Sequence, residues 1–184
     1  MKYEIRLGGK GGQGLVLAGI ILGEAASTYE NLYAVQRQSY GPEARGGASR
    51  SDVIISDEEI EYPIIDEPDI LLAMSQEAYE KYVHQLKKGG ILLIDKSLVL
   101  ENVADRNTKL YSVDFTKLAR KSFNMEVVAN IIALGTIVNL LKIISKGSIL
   151  KVLEKRVPLK YFGTNQKALE LGMSFSEGEK IEFV

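Results

Sequence analysis

The stretch that most constrains the fold of this chain is Leu7-Gly8-Gly9-Lys10-Gly11-Gly12-Gln13-Gly14, between an apolar alternating run (residues 3–7) and a long apolar run (residues 15–26). A glycine-rich turn joining a strand to a helix lets the backbone bend tightly and lets another group lie directly on it. The helix that follows begins with unpaired N–H groups and a partial positive charge, which suits a phosphate or another anion. Gly9, Gly11 and Gly14 meet the G-x-G-x-x-G spacing of dinucleotide-binding turns. Two readings stand side by side: an anion cradle, or glycines that only let helix and strand pack closely.

Alternation of apolar strands and helical periods extends the pattern. Strands are expected at residues 3–7, 32–36, 51–56, 69–74, 91–95 and 109–113. Helices are expected at 14–29, 76–88, 115–122, 125–144, 148–155 and 165–171. Gly89-Gly90 would close the second helix, Asp114 would cap the third, and Gly172 would end the last. The run 125–144 is apolar on nearly every side. It is therefore expected inside the domain or under another subunit, with Asn130, Gly135 and Asn139 as packing positions. The pattern predicts an α/β fold: a Rossmann-like open, mostly parallel sheet with helices on both faces. A length of 184 residues suits a single domain, residues 1–184, with a short helical and polar C-terminal extension from about residue 148.

Composition narrows the chemistry. A net charge of −1 provides no global field for nucleic acid. The absence of cysteine rules out disulfides, a thiolate nucleophile and a cysteine-ligated iron–sulfur cluster on this chain, and a single histidine, His84, cannot build a His-rich metal site. With no export signal and no long uncharged apolar run, a cytoplasmic protein with no membrane association is expected. A nicotinamide fold wants an acid at the end of the second strand. Gln36, Arg37 and Gln38 stand there instead, which argues against NAD.

A second motif follows, Ser39-Tyr40-Gly41-Pro42-Glu43-Ala44-Arg45-Gly46-Gly47. Arg45 beside Gly46 and Gly47 suits bidentate contact with a carboxylate or phosphate, or a plain ion pair with Glu43 on a surface loop.

These two motifs, with residues 68–79 (Pro-Asp-Ile-Leu-Leu-Ala-Met-Ser-Gln-Glu-Ala-Tyr) and 130–135 (Asn-Ile-Ile-Ala-Leu-Gly), resemble the gamma subunit of the 2-oxoacid:ferredoxin (acceptor) oxidoreductases, most closely the 2-oxoglutarate branch. The resemblance implies a non-autonomous, coenzyme A-acylating oxidoreductase subunit. Its complex converts 2-oxoglutarate to succinyl-CoA with thiamine diphosphate, Mg and an iron–sulfur cluster. The implied partners are alpha, beta and ferredoxin-like delta subunits, with ferredoxin or flavodoxin as acceptor. No catalytic residue and no metal ligand falls on this chain. A cofactor-contacting role, with coenzyme A as the implied ligand, would rest on Gly9, Gly11, Gly12, Gln13, Gly14, Glu43, Arg45, Gly46 and Gly47. Asn130 and Gly135 would shape the adjoining helix. The competing reading is a stand-alone nucleotide-binding regulatory module of Rossmann type.

Overall fold

The computed structural model describes residues 1–39, 48–102 and 107–175. Its elements are β1 (Lys2–Lys10), α1 (Leu15–Tyr29), β2 (Tyr33–Ser39), β3 (Ala48–Ser56), β4 (Ile70–Ala73), α2 (Gln76–Tyr82), β5 (Ile91–Asp95), β6 (Lys109–Val113), α3 (Phe115–Phe123), α4 (Ala129–Leu141), α5 (Lys146–Arg156) and α6 (Leu159–Met173). One six-stranded sheet runs in the order β2-β3-β1-β4-β5-β6.

The sheet is mostly parallel, as the alternation predicts, with one reversal. β1, β4, β5 and β6 pair in parallel, whereas β3 runs antiparallel to both β1 and β2. β3 thus enters between β1 and the strand that follows α1. This placement removes the geometry on which the ribose-binding acid depends. The end of β2 lies two strand spacings, roughly 10 Å, from β1, so residues 36–38 are not beside the glycine turn. Gln36 instead donates to Ser51 Oγ at 2.9 Å, and Arg37 donates to the Pro63 carbonyl at 3.2 Å.

Both faces of the central strands are covered, which is why β4 reads as an unbroken apolar run. Ile70 and Leu72 point into the larger core with α1, α3, α4, α5 and α6; Leu71 and Ala73 point into a smaller one with Ala78, Tyr79 and Tyr82 of α2. Helices on both faces are present, but unequally. The helix expected over 76–88 is α2 plus a single 3-10 turn, Val83–Gln85. The run 125–144 contracts to α4, preceded by a 3-10 turn at Glu126–Val128, because Asn124 adopts the left-handed conformation that ends α3. α4 is buried within the chain, chiefly under α6.

Two sequence expectations change at helix ends. Asp114 makes no cap bond to α3. The buried carboxylate of Asp95 reaches across from the end of β5, accepting from Thr116 N at 2.9 Å and Thr116 Oγ1 at 2.5 Å. Gly172 does not terminate its helix. A methyl group there would strike the Ile132 carbonyl, and one on Gly135 would strike the Leu169 carbonyl, so α4 and α6 touch backbone to backbone. Thr136 Oγ1 bonds the Gly172 carbonyl at 3.1 Å, and Asn139 Nδ2 bonds the Phe175 carbonyl at 2.9 Å, across the same seam.

Overpacked cores lose about 1–3 kcal/mol, and here the obstacle is main chain that cannot rotate away. Gly172→Ala is accordingly expected to cost about 3 kcal/mol in urea unfolding, whereas Gly163→Ala, with nothing near its added methyl, stabilises slightly by helix propensity. Burial raises the pKa of Asp95 above the ordinary carboxyl range, against the opposing pull of its Thr116 and Ser97 hydrogen bonds. A carboxyl whose folded pKa is raised favours folding most when protonated. The stability of the wild type relative to Asp95→Asn should therefore fall as pH rises from about 3.9 through the raised value. Denaturant titrations across that range check the sign.

Candidate functional site at the glycine turn

The turn sits where the sheet reverses its order of winding. β1 feeds α1 on one face, while its parallel neighbour β4 feeds α2 on the other. In open α/β sheets the carboxyl ends of two such strands border a crevice where ligands bind. The elements placed there follow from local sequence. β1 continues past Leu7 through Gly8, Gly9 and Lys10, because β3 pairs with it as far as Ala48.

The glycines divide by what surrounds them. Gly9 is buried, and a methyl group on it would meet Gln13 and Leu15. Gly14 precedes α1 at φ +74°, and a methyl group on it would meet Asn130 Nδ2. Close packing accounts for both. Gly11 and Gly12 lie exposed at the apex with no atom of the described residues within 4 Å of an added Cβ, and Gly12 has φ +90°. Among the described residues, nothing packs closely enough to ask for glycine at position 11. The open space above it leaves backbone accessible to an outside group. The two readings of the motif therefore apply to different residues.

Gln13 ties the turn to the end of the neighbouring strand. Its Oε1 accepts from Lys10 N at 2.7 Å, and its Nε2 donates to the Met74 carbonyl at the end of β4 at 2.7 Å. The resemblance places Gln13 among the cofactor-contacting residues, yet both ends of its carboxamide are engaged inside the chain. Asn130 Nδ2 donates to the Gly14 carbonyl at 2.9 Å, tying the start of α4 to the start of α1. Gly135, expected beside the same site, lies instead at the α4–α6 seam.

The local electrostatics favour an anion. α1 has no side-chain cap and no acid in its first turn, so no carboxylate of its own first turn compensates its N-terminal dipole. Lys10 is exposed beside it. Glu43, Arg45, Gly46 and Gly47 lie outside the described residues. The flank that leads out of that segment is anchored: Ala48 pairs with Lys10, and Ser49 Oγ donates to the Gly9 carbonyl at 3.0 Å.

Sequence reasoning missed a charged group on the opposite face of the sheet. Arg6, only 1% exposed, pairs with Asp52 through Nε at 2.8 Å and Nη2 at 3.0 Å. Its guanidinium lies 5.4 Å from the Tyr82 ring centroid. Arg50 lies 5.9 Å from the same ring and 3.5 Å from Asp52. In the sequence Arg6 stands only as one of two charged positions, with Glu4, that alternate with Tyr3, Ile5 and Leu7, a pattern that assigns it to solvent. Among the described residues no His, Cys, Asp or Glu cluster could hold a metal ion, and no helix is long and apolar enough to cross a membrane.

A glycine turn and a helix N-terminus at the switch point of a six-stranded sheet define an α/β protein of open, mostly parallel sheet, with exposed backbone at Gly11 and Gly12. The chain belongs to the family described as pyruvate ferredoxin/flavodoxin oxidoreductase, whose model matches residues 4–175. It is 47% identical over 182 residues to a 2-oxoglutarate synthase subunit, KorC, of Methanocaldococcus jannaschii, covering 98% of this chain and 94% of the relative. Among solved structures it resembles the gamma subunit of a keto/oxoacid ferredoxin oxidoreductase from Geobacter sulfurreducens, with TM-score 0.82 and 47% identity over 92% of this chain and 95% of that one. It shares its fold with 30% of a longer chain, the 2-oxoglutarate:ferredoxin oxidoreductase of Magnetococcus marinus, at TM-score 0.85 and 23% identity over 94% of this chain.

The contrast between the glycines can be measured by thermal or urea unfolding. Gly14→Ala forces a side chain into the left-handed region and displaces Asn130, and should cost about 2–3 kcal/mol. Gly11→Ala should stay within about 0.5 kcal/mol of wild type.

Proposed function

We propose that this chain is the gamma subunit of a 2-oxoglutarate:ferredoxin oxidoreductase, acting in the oxidative decarboxylation of 2-oxoglutarate to succinyl-CoA. The observation that carries the reading is 47% identity to a 2-oxoglutarate synthase subunit along 98% of this chain. The residue inventory agrees: there is no cysteine for a thiolate-held cluster and one histidine. Electron transfer through an iron–sulfur cluster and carbanion chemistry on thiamine diphosphate with Mg would then belong to the alpha, beta and delta partner chains. A ferredoxin or flavodoxin would receive the electrons.

Within that complex the share of this chain is contact and assembly. The apex amides at Gly11 and Gly12, with the unblocked start of α1, suit an anionic group such as a phosphate of coenzyme A. Gln13 and Asn130 hold the turn in shape by bonding Lys10, Met74 and Gly14. Arg45 is assigned to the same anion as a proposal from its motif.

The test is reconstitution. The chain alone is expected to be inactive. Assembled with its partner chains, it should support coenzyme A-dependent ferredoxin reduction, with kcat/KM for 2-oxoglutarate about 100-fold above that for pyruvate. Gly11→Leu, at a position where an added Cβ meets no described residue, should raise KM for coenzyme A about ten-fold and leave KM for 2-oxoglutarate unchanged. A preference for pyruvate would move the complex to another branch. Tight binding of NAD(P) or a flavin by the isolated chain would restore the stand-alone nucleotide module.

A further inference from the structure

Residues 57–69 join β3 to β4 without regular secondary structure and carry seven acids and no base. The segment crosses the face of the sheet that α2 covers only in part. Its inner side is held by cations from beneath: Arg37 Nη1 donates to the Pro63 carbonyl at 3.2 Å, and Arg6 Nη2 donates to the Ile65 carbonyl at 2.8 Å. Ile65 and Pro68 are buried. At its ends, Asp57 pairs with the N-terminal amine at 2.5 Å, and Asp69 pairs with Lys87 at 2.8 Å.

The outer side is the reverse. The other five carboxylates form no ion pair among the described residues and are exposed. Between them Tyr62 is 59% and Ile64 is 41% exposed. Tyr33, 51% exposed, lies on the same sheet face, since it pairs with Ser56 two places along from the pair formed by Val35 with Ile54. Like charges held close together repel and oppose the compact state. An aromatic and aliphatic centre with a charged surround matches the anatomy of a protein interface. Because the segment is already fixed by Arg6 and Arg37, docking on it costs little ordering entropy.

We infer that the 57–69 strap is a docking surface for a partner chain of the complex, one that presents Lys and Arg around an apolar recess for Tyr62. The inference rests on the subunit reading above. The partner's cations would pair with carboxylates that form no ion pair among the described residues, and Tyr62 would supply the buried anchor.

The experiment measures the affinity of the chain for the remaining subunits at about 50 mM and about 500 mM salt. Three proteins are compared: wild type, Tyr62→Ala, and a neutralised strap carrying Glu58→Gln, Glu59→Gln, Glu61→Gln, Asp66→Asn and Glu67→Gln. None of these changes touches the inner contacts to Arg6 or Arg37, and melting temperatures check that each variant folds. Wild type should bind at least about ten-fold more weakly at the higher salt. The neutralised strap should bind weakly at both and lose the salt dependence, and Tyr62→Ala should weaken binding about ten-fold or more at either salt. If wild type assembles and both folded variants assemble equally well, the strap is not the surface, while the subunit reading stands. If wild type fails to assemble with those chains, the subunit reading falls and this inference with it. A salt-sensitive dimer of the wild-type chain alone, broken by the neutralised strap, would assign the surface to a second copy and overturn the inference.

Discussion

A guanidinium that is 1% exposed must find partners for nearly all of its N–H groups, and Arg6 does so by drawing four parts of the chain together. Asp52 of β3 takes two of its bonds, the Ile65 carbonyl takes another, and Gln85, just past α2, takes a fourth. Removing Asp52 alone would leave a buried, unpaired charge, which is far costlier than replacing the whole set with apolar groups. The ion pair is therefore weak as a source of net stability and strong as a constraint on arrangement. It fixes β3 against β1, lays the strap across the sheet, and places the end of α2.

The same constraint explains why the two faces of the sheet differ. The larger face buries a continuous apolar core, with Leu7, Ile5, Val53 and Ile55 against α1 and the C-terminal helices. On the other face a polar and aromatic layer, Arg6, Asp52, Arg50 and Tyr82, occupies the place where a second long helix would sit in an evenly covered sheet. The face with the dense core supports the glycine turn from below through Leu15 and Asn130. The other carries the acidic strap. A subunit that contacts a small anion at one edge and another protein across one face can assign those tasks to separate surfaces of one rigid sheet.

At the turn, two side-chain amides and the main chain serve different purposes. Gln13 bridges β1 and β4, Asn130 fastens α4 to the first carbonyl of α1, and the main chain at Gly11 and Gly12 remains open. Gln13 and Asn130 make their bonds inside the chain, so their contribution to any ligand site is to hold the backbone in position. That separation of scaffold from contact surface is what a helix N-terminus needs to meet an anion without reorganising.

Local pattern alone settled a good deal here. The alternation of apolar strands with helical periods was enough for an α/β sheet, and the motifs at residues 9–14, 39–47, 68–79 and 130–135 were enough for the family, because such spacings encode turns and apolar faces directly in the chain. Tertiary structure decided the rest. The reversal of β3, the capping of α3 by Asp95 instead of Asp114, the backbone contact of Gly135 with Gly172, and the burial of Arg6 all depend on partners 20 to more than 40 positions away. A glycine needed for its torsion, one needed for a neighbour's approach and one standing under open space are the same letter in a sequence. Only the positions of Asn130, Gln13 and α6 tell them apart, since steric exclusion acts through space and leaves no local period to read.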